Sequence, residues 1–399
     1  MSTEKPRVLV VAFDVFEKST RARKYCRVYR SSEAHVQYLG MSSPGRSGRW
    51  GEAGSRIDDG VVIEQVAMRP PSGGTSKGVQ ARNLTLSYIP ALSRMAKFLW
   101  RHPADVVHVV GAPLALLGIL HRMRHRSRFV LDVQERPGAV ATPGSLSSLF
   151  AHTESAILRL SAQFASAATV VTPPDVNALR HYGFSNIALV RNAPLTTWRS
   201  PYRPPNHPRP VTTFACIGTI FEGRSFEALI DATAELAKKV PIRVAISGTG
   251  SEKYLSELRD RAANNGADAS IDWLGWVSAD EVCDRYLDAD VGIAFYDTAV
   301  SGNDGLSNKI MECVAAGRPV LCTNAPLNSQ FINELKVGWT TASDATSIAA
   351  TMEEIARQSS LVEIAGHCRN VGDTQLNWEA EFAPILQRVL GEEMQEGQA

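Results

Sequence analysis

The sequence predicts an α/β protein made of two doubly wound, parallel-sheet domains, and three observations carry that expectation. Short β-branched apolar runs alternate with longer stretches of helical periodicity, as a parallel sheet with crossover helices requires. The alternation stops at a proline-dense segment and restarts beyond it. The charge balance changes sign at the same place: residues 1–210 carry 28 Lys and Arg against 13 Asp and Glu, and residues 211–399 carry 14 against 28, so a net charge of +1 conceals two opposed halves. That asymmetry argues against one uniform domain and makes the amino-terminal half the one that attracts anions. A chain of 399 residues, 44% apolar and 21% charged, can bury two cores and lacks the composition of a disordered or fibrous protein.

Taken in order, the strands expected in the first half are 7–13, 35–39, 61–65, 106–110, 129–133, 168–172 and 187–190, with helices at 21–30, 84–102, 114–126, 146–165 and 175–181. The strands are apolar almost throughout, which marks strands covered on both faces. The segment PLTTWRSPYRPPNHPRP, residues 194–210, is too rich in proline for helix or ladder and reads as a linker. Strands follow at 212–217, 242–247, 271–274, 291–295, 320–322 and 338–341, with helices at 226–239, 252–264, 278–287, 308–316 and 345–358 and a last helix at 378–390. The domain expectation is therefore 1–194, a linker 195–210, a second domain 211–375, and a terminal segment 376–399 that crosses back to the first domain. Ligands of such sheets lie beyond the carboxyl ends of the strands, here in the cleft that two such domains would form.

The six cysteines show no paired spacing, so neither a disulfide framework nor a zinc site is signalled. The chain begins MSTEKPRVLVVAF, without a basic and then apolar leader, and no apolar run reaches the ~18 residues of a membrane span. The expected location is a reducing cytoplasm, at most peripheral at the inner face of a membrane.

Chemistry concentrates in SGNDGLSNKIMECVAAGRPV, residues 301–320. A polar turn runs into a helix starting at Ser307 and Asn308, whose free N–H groups and dipole suit an anion such as a diphosphate. Lys309 adds a full charge there. Glu312, one turn farther, can accept two hydrogen bonds from vicinal hydroxyls such as those of a ribose. Asp304 lies in the loop, near whatever is attached beyond the phosphates. A capped helix with an incidental Lys–Glu pair would look the same from sequence alone.

The stretch DGLSNKIMECVAAGRPVL resembles the signature of retaining family-4 glycosyltransferases of the GT-B fold, also called glycosyl transferases group 1. Other segments match in order: FACIGTIFEG (214–223) followed by Arg224, ISGTG (246–250), WLGWV (273–277), DADVGI (288–293), Ala193–Pro194 after Asn192, and the closing helix with Trp378. The resemblance implies two Rossmann-like domains and transfer of a hexose from a nucleotide-diphosphate sugar, with no metal and no cofactor besides the donor, UDP being commoner in the family than GDP. Residue by residue it implies that Arg224 and Lys309 neutralise the leaving diphosphate, helped by N–H groups around Leu306, Ser307 and Asn308. Glu312 would hold the ribose, and Asp304 the donor sugar. Gly218, Gly248 and Gly250 would line the donor loops, with Trp276 and Val277 at the base. On the acceptor side stand Asp14, Arg21, Gln134 and Glu135, and Arg21, Arg23 and Lys24 suit an anionic acceptor. A small molecule, a glycan or a lipid-linked acceptor all fit; nucleic acid does not.

Two positions depart from the pattern. Asp304 stands where Glu is usual and reaches about one methylene less far. Gln134 stands where many relatives carry a histidine that contacts the transferred sugar, and glutamine cannot carry a proton. A sugar-nucleotide epimerase of the same fold, or a catalytically weak partner protein, therefore remain alternatives.

Other signals read as structural. Asp288-Ala289-Asp290 closes a helix and opens an apolar strand, which suits capping better than metal binding. Gly248-Thr249-Gly250 lacks the third glycine of a dinucleotide loop, because Lys253 takes its place. His108 sits inside the core strand VVHVV. The run HRMRHRSR, residues 121–128, is open to two readings, a solvated helix end or a contact with a membrane surface or polyanion.

Overall fold

A computed structural model describes residues 5–42, 53–68, 84–134, 146–205, 210–296 and 305–391. The chain divides into two compact units, residues 1–191 with 379–399, and residues 192–378. Both are sheets with helices on each face, the doubly wound α/β class; every strand pair is parallel except one antiparallel hairpin at the edge of the first sheet.

The first unit holds β1 (Arg7–Val11), β2 (His35–Ser42), β3 (Gly54–Asp58), β4 (Val61–Ala67), β5 (Val106–Val110), β6 (Arg128–Val133), β7 (Ala167–Val170) and β8 (Ile187–Leu189). Their order is β3-β4-β2-β1-β5-β6-β7-β8, so the winding reverses between β1 and β5. Val8 lies opposite Val36 on one side and Val106 on the other. Leu9, Val109 and Phe129 pack with Met95 and Leu117 of the helices Ile89–Arg101 and Ala115–His125 on one face. Toward the other face, Phe382 of the terminal helix Trp378–Leu390 meets Tyr25, Tyr29 and His108. Arg191 anchors that helix through Glu381, with N to Oε2 at 2.6 Å and Nε to Oε1 at 2.7 Å. The hairpin β3–β4 was not legible as apolar alternation, because β3 is exposed along its whole length. Its Asp59–Gly60 turn, with φ of 44° and 71°, is the available signal for it.

The second unit holds β9 (Thr212–Ile217), β10 (Ile242–Ser247), β11 (Ile271–Gly275), β12 (Val291–Ala294), β13 (Val320–Thr323) and β14 (Gly338–Thr341), ordered β11-β10-β9-β12-β13-β14 and all parallel. Phe214, Val244 and Ile293 face the helices Phe226–Leu236, Glu252–Asn265 and Ala345–Arg357. Ala215 and Cys322 face Tyr286, Met311, Ile332 and Cys368 of helices on the opposite side. Two helices, Pro326–Leu335 and Leu361–Gln375, lie where no helix was expected. Polar composition hid the first. Two glycines disguised the second, but Gly372 is there for contact: a Cβ on it would meet Ala315 Cα at 2.8 Å.

The expected linker differs from what is found. Trp198 is buried, and the Arg199 guanidinium donates to the carbonyls of Gly372, at 2.9 Å, and of Leu376. This tryptophan and arginine dock the start of the proline-dense segment, expected as a linker over 195–210, onto the second unit, which begins at residue 192, close to the expected end of the first domain at 194. All six cysteines are buried free thiols. Among the described residues no helix is long and apolar enough to cross a membrane.

Candidate functional site

In the second unit the strand order reverses between β9 and β12, and a doubly wound sheet opens its ligand crevice beyond the carboxyl ends at that point. Past β9 the chain passes Gly218 and Arg224, and past β12 it passes Tyr296 before entering the helix Asn308–Ala315. Lys309, in the first turn, is 7% exposed and has no carboxylate partner among the described residues. Its stem lies against Gly218, where a Cβ would sit 2.9 Å from Cε and 3.6 Å from Nζ. Nζ is 6.0 Å from the centre of the Phe226 ring.

Arg224 is held in a similar manner. Its guanidinium lies over Tyr296 at 4.0 Å and Phe221 at 4.6 Å, and its buried Nε has no hydrogen-bond partner among the described residues. Aromatic faces stabilise a cation without consuming its N–H donors. Two cations, neither neutralised by a described carboxylate, therefore flank one strand junction beside a helix amino terminus.

A hydrogen-bond chain fixes this geometry. Tyr296 N donates to Thr323 Oγ1 at 2.7 Å, and that hydroxyl donates to the Tyr296 carbonyl at 2.7 Å. The Tyr296 hydroxyl meets Ser307 Oγ at 2.5 Å, and Ser307 N donates to Asn328 Oδ1 at 2.9 Å. Tyr296, Thr323 and Asn328 were not expected from the sequence. Asn328 reaches Ser307 across 21 residues from a helix that itself went unread.

Glu312 is half-buried one turn beyond Lys309. Trp276 follows β11 and is 59% exposed, while Val277 packs at the edge of the core. Gly248 N donates to the Gly275 carbonyl at 2.6 Å, tying this segment to the loop after β10. Among the described residues no group of three or more His, Cys, Asp or Glu is placed to hold a metal ion.

In the first unit, Asp14 and Gln134 are exposed beyond the carboxyl ends of β1 and β6. Although its side chain reaches the surface, desolvation by the surrounding chain raises the Asp14 carboxyl above its ordinary value, against the opposing charge of Lys18. Arg21 points inward: Nε and Nη2 each lie 2.7 Å from an Asp132 oxygen, and Nη1 donates to Val190 O at 2.9 Å. Burial alone would push Asp132 up, but the Arg21 charge, with hydrogen bonds from Arg21 and Thr169, holds it below the usual carboxylate value. His108 accepts or donates at Nδ1 with Tyr29 at 3.1 Å, and burial together with Arg21 lowers it to about 3, so it is neutral at pH 7.

A family model described as glycosyl transferases group 1 matches residues 211–358, and one described as a glycosyl transferase 4-like domain matches residues 19–193, which together take in most of the chain. The chain belongs to the group 1 glycosyl transferases. No curated protein matches it. Among solved structures, sucrose-phosphate synthase from Thermosynechococcus elongatus superposes with a TM-score of 0.70 at 11% identity, covering 96% of this chain and 98% of that one. Anabaena HepE in complex with UDP and glucose gives 0.64 at 13% identity with the same coverage, and trehalose-6-phosphate synthase, studied with bisubstrate glycomimetics, gives 0.65 at 12%. At such identities the likeness is one of fold, and the fold is GT-B.

The structure brings Gly218, Arg224, Leu306, Ser307, Asn308, Lys309 and Glu312 to one strand junction. It alters three readings. Arg21 is a buried structural cation whose donors are engaged, so it is not available to an acceptor. Ser307 has its N–H and its hydroxyl occupied, which makes it a clamp for the helix start and leaves Leu306, Asn308 and Lys309 to offer N–H groups. Gly248 and Gly250 are required by backbone packing, because a Cβ on either would overlap the carbonyl oxygen of Gly218 or Ile220. Asp304 and Glu135 lie outside the described residues. The Asp288-Ala289-Asp290 segment is structural: Asp290 accepts from Thr213 N at 2.9 Å, and Asp288 pairs with Arg203.

Proposed function

We propose that this glycosyl transferase moves a hexose from a nucleotide-diphosphate sugar, UDP ahead of GDP, to an acceptor hydroxyl with retention of anomeric configuration and without a metal ion. The observation that carries the reading is the pair of cations, Lys309 and Arg224, set at the switch point with no described carboxylate to neutralise them. Departure of a diphosphate from an anomeric carbon builds negative charge on the leaving oxygen, and preorganised positive charge there lowers the barrier most. As the C1–O bond breaks, its electron pair goes to the diphosphate oxygen. The acceptor oxygen bonds to the same face of C1, and its proton passes to that leaving oxygen. Glu312 holds the ribose hydroxyls, Trp276 and Val277 adjoin the base, and Asp304 serves the donor sugar, while Gln134 belongs to the acceptor-binding unit. UDP in the HepE complex and the study of retention in trehalose-6-phosphate synthase support the nucleotide and the stereochemistry.

The test is product analysis by NMR across a panel of nucleotide sugars and anionic, glycan and lipid-linked acceptors, with EDTA present throughout. Turnover in EDTA with an α-linked product from an α-linked donor is expected. An inverted product, or activity abolished by EDTA and restored by a divalent ion, overturns the mechanism. Epimerised donor without acceptor assigns the chain to the epimerase alternative. Absence of any nucleotide binding assigns it to a non-catalytic partner.

A further inference from the structure

The search for unexplained surface ends on one side of the first unit. Of eleven large hydrophobic side chains exposed among the described residues, five belong to two neighbouring helices and the turn that leads into them: Leu86, Ile89, Trp100, Leu116 and Met123. The helices Ile89–Arg101 and Ala115–His125 pack side by side. Their carboxyl ends meet, with His125 Nε2 3.1 Å from Leu99 O and the Arg124 guanidinium 5.2 Å from the centre of the Trp100 ring. Trp100 is 51% exposed and Met123 69%. Scattered exposed apolar residues need no explanation, but a run of them along the outer faces of paired helices does.

The charge around this strip has one sign. Residues 84–131 contain seven Lys and Arg and a single acidic residue, Asp105, which is engaged with Arg7. None of the seven makes an ion pair among the described residues, and Lys97, Arg101, Arg124 and Arg126 are exposed. Arg126 closes its helix in the left-handed conformation, φ 57°, and is exposed at the surface. Macrodipole compensation at two helix ends accounts for some of these cations but for none of the apolar side chains beside them.

We propose that this two-helix face seats the protein on an anionic lipid bilayer. Leu86, Ile89, Leu116 and Met123 would enter the acyl boundary, Trp100 would lie at the interface, and Lys97, Arg101, Arg124 and Arg126 would meet the headgroup phosphates. A bilayer fits both components. Long cationic side chains keep their heads among phosphates while their stems cover apolar surface. A second copy of the same face would set arginines against arginines, and nucleic acid would use the cations but not the aliphatic side chains. The inference is independent of the nucleotide site, since it uses no residue placed there.

The test is co-sedimentation of the full-length protein with vesicles of phosphatidylcholine, alone or mixed with phosphatidylglycerol. Two double variants are compared, Trp100→Ser with Met123→Ser and Arg101→Glu with Arg124→Glu. Every changed side chain is exposed, and unchanged nucleotide affinity shows that each variant is folded. Wild type should bind the phosphatidylglycerol vesicles, release at high salt and bind phosphatidylcholine weakly. Each pair should weaken binding about tenfold or more. Failure of wild type to bind, or binding by either variant as tight as that of wild type, overturns the proposal. A self-associated wild type that the Trp100→Ser, Met123→Ser pair makes monomeric assigns the face to a second copy and overturns it equally.

Discussion

At the scale of single residues, the contrast between Arg21 and Lys309 separates structure from function. Both are buried cations on short-range helical segments. Arg21 has a carboxylate and a carbonyl to absorb its donors, whereas Lys309 has an aromatic ring and the bare backbone of Gly218. Sequence reading ranked both as ligand contacts, because partners 111 residues away cannot be read from local pattern. Buried histidines supply a test of the first unit's packing. Burial lowers His108 to about 3 and His121 to about 4, whereas the unfolded chain titrates near 6.5. The unfolded state thus binds more protons between those values, so their contribution to stability is present above pH 6.5 and is lost as pH falls toward 3 to 4. Each proton is worth at most about 1.4 kcal/mol per pH unit. Denaturant titrations from neutral pH to pH ~4, with the unfolding of β5 followed by hydrogen exchange, should show a shallower loss of stability for His108→Gln than for wild type. An unchanged slope would mean that His108 is not held neutral by its burial.

At the scale of elements, the helix Asn308–Ala315 positions the site, and three supports position the helix. Ser307 is clamped by Tyr296 and Asn328, Lys309 runs past Gly218, and Ala315 rests on Gly372. Gly372→Val should force the helices apart, destabilising by roughly 1–3 kcal/mol through overpacking and weakening nucleotide affinity with it. Loss of stability with full affinity would show that the helix start does not depend on this contact. Every strand of both sheets except β3 was legible, because the central parallel strands are buried and apolar along their length and the edge strands still carry short β-branched or aromatic runs. The helix Leu361–Gln375 was not, although Leu361, Ala365, Cys368 and Gly372 recur at helical spacing on its buried side. Gly366 and Gly372 lower its helix propensity, and Gly372 provides a close approach to Ala315. The clamp of Ser307 was invisible for another reason: hydrogen bonds between elements leave no periodic trace.

At the scale of the whole molecule, the charge division gains a sharper meaning than a domain boundary. The basic half contains the two-helix face, whose cations make no ion pair among the described residues, while the acidic half keeps Arg224 and Lys309 at one strand junction. An anionic acceptor recognised by the basic half should bind more weakly as salt is raised from ~0.05 to ~0.5 M, with a smaller effect on the donor, whose cations are partly buried. The reverse order of salt effects, read from the two KM values, would detach the charge division from acceptor recognition. The central claim is that Lys309 is buried for a diphosphate rather than for the fold. Removing a buried charge that no described carboxylate neutralises relieves desolvation, so Lys309→Met should keep or raise the thermal midpoint. Loss of a charged hydrogen bond to phosphate should weaken binding about tenfold to a hundredfold. Calorimetric titration of UDP and GDP into wild type and Lys309→Met, paired with thermal melts, reads both quantities. Affinity lost with stability kept is the result expected here. Affinity kept with stability lost would make Lys309 a structural residue and contradict the account.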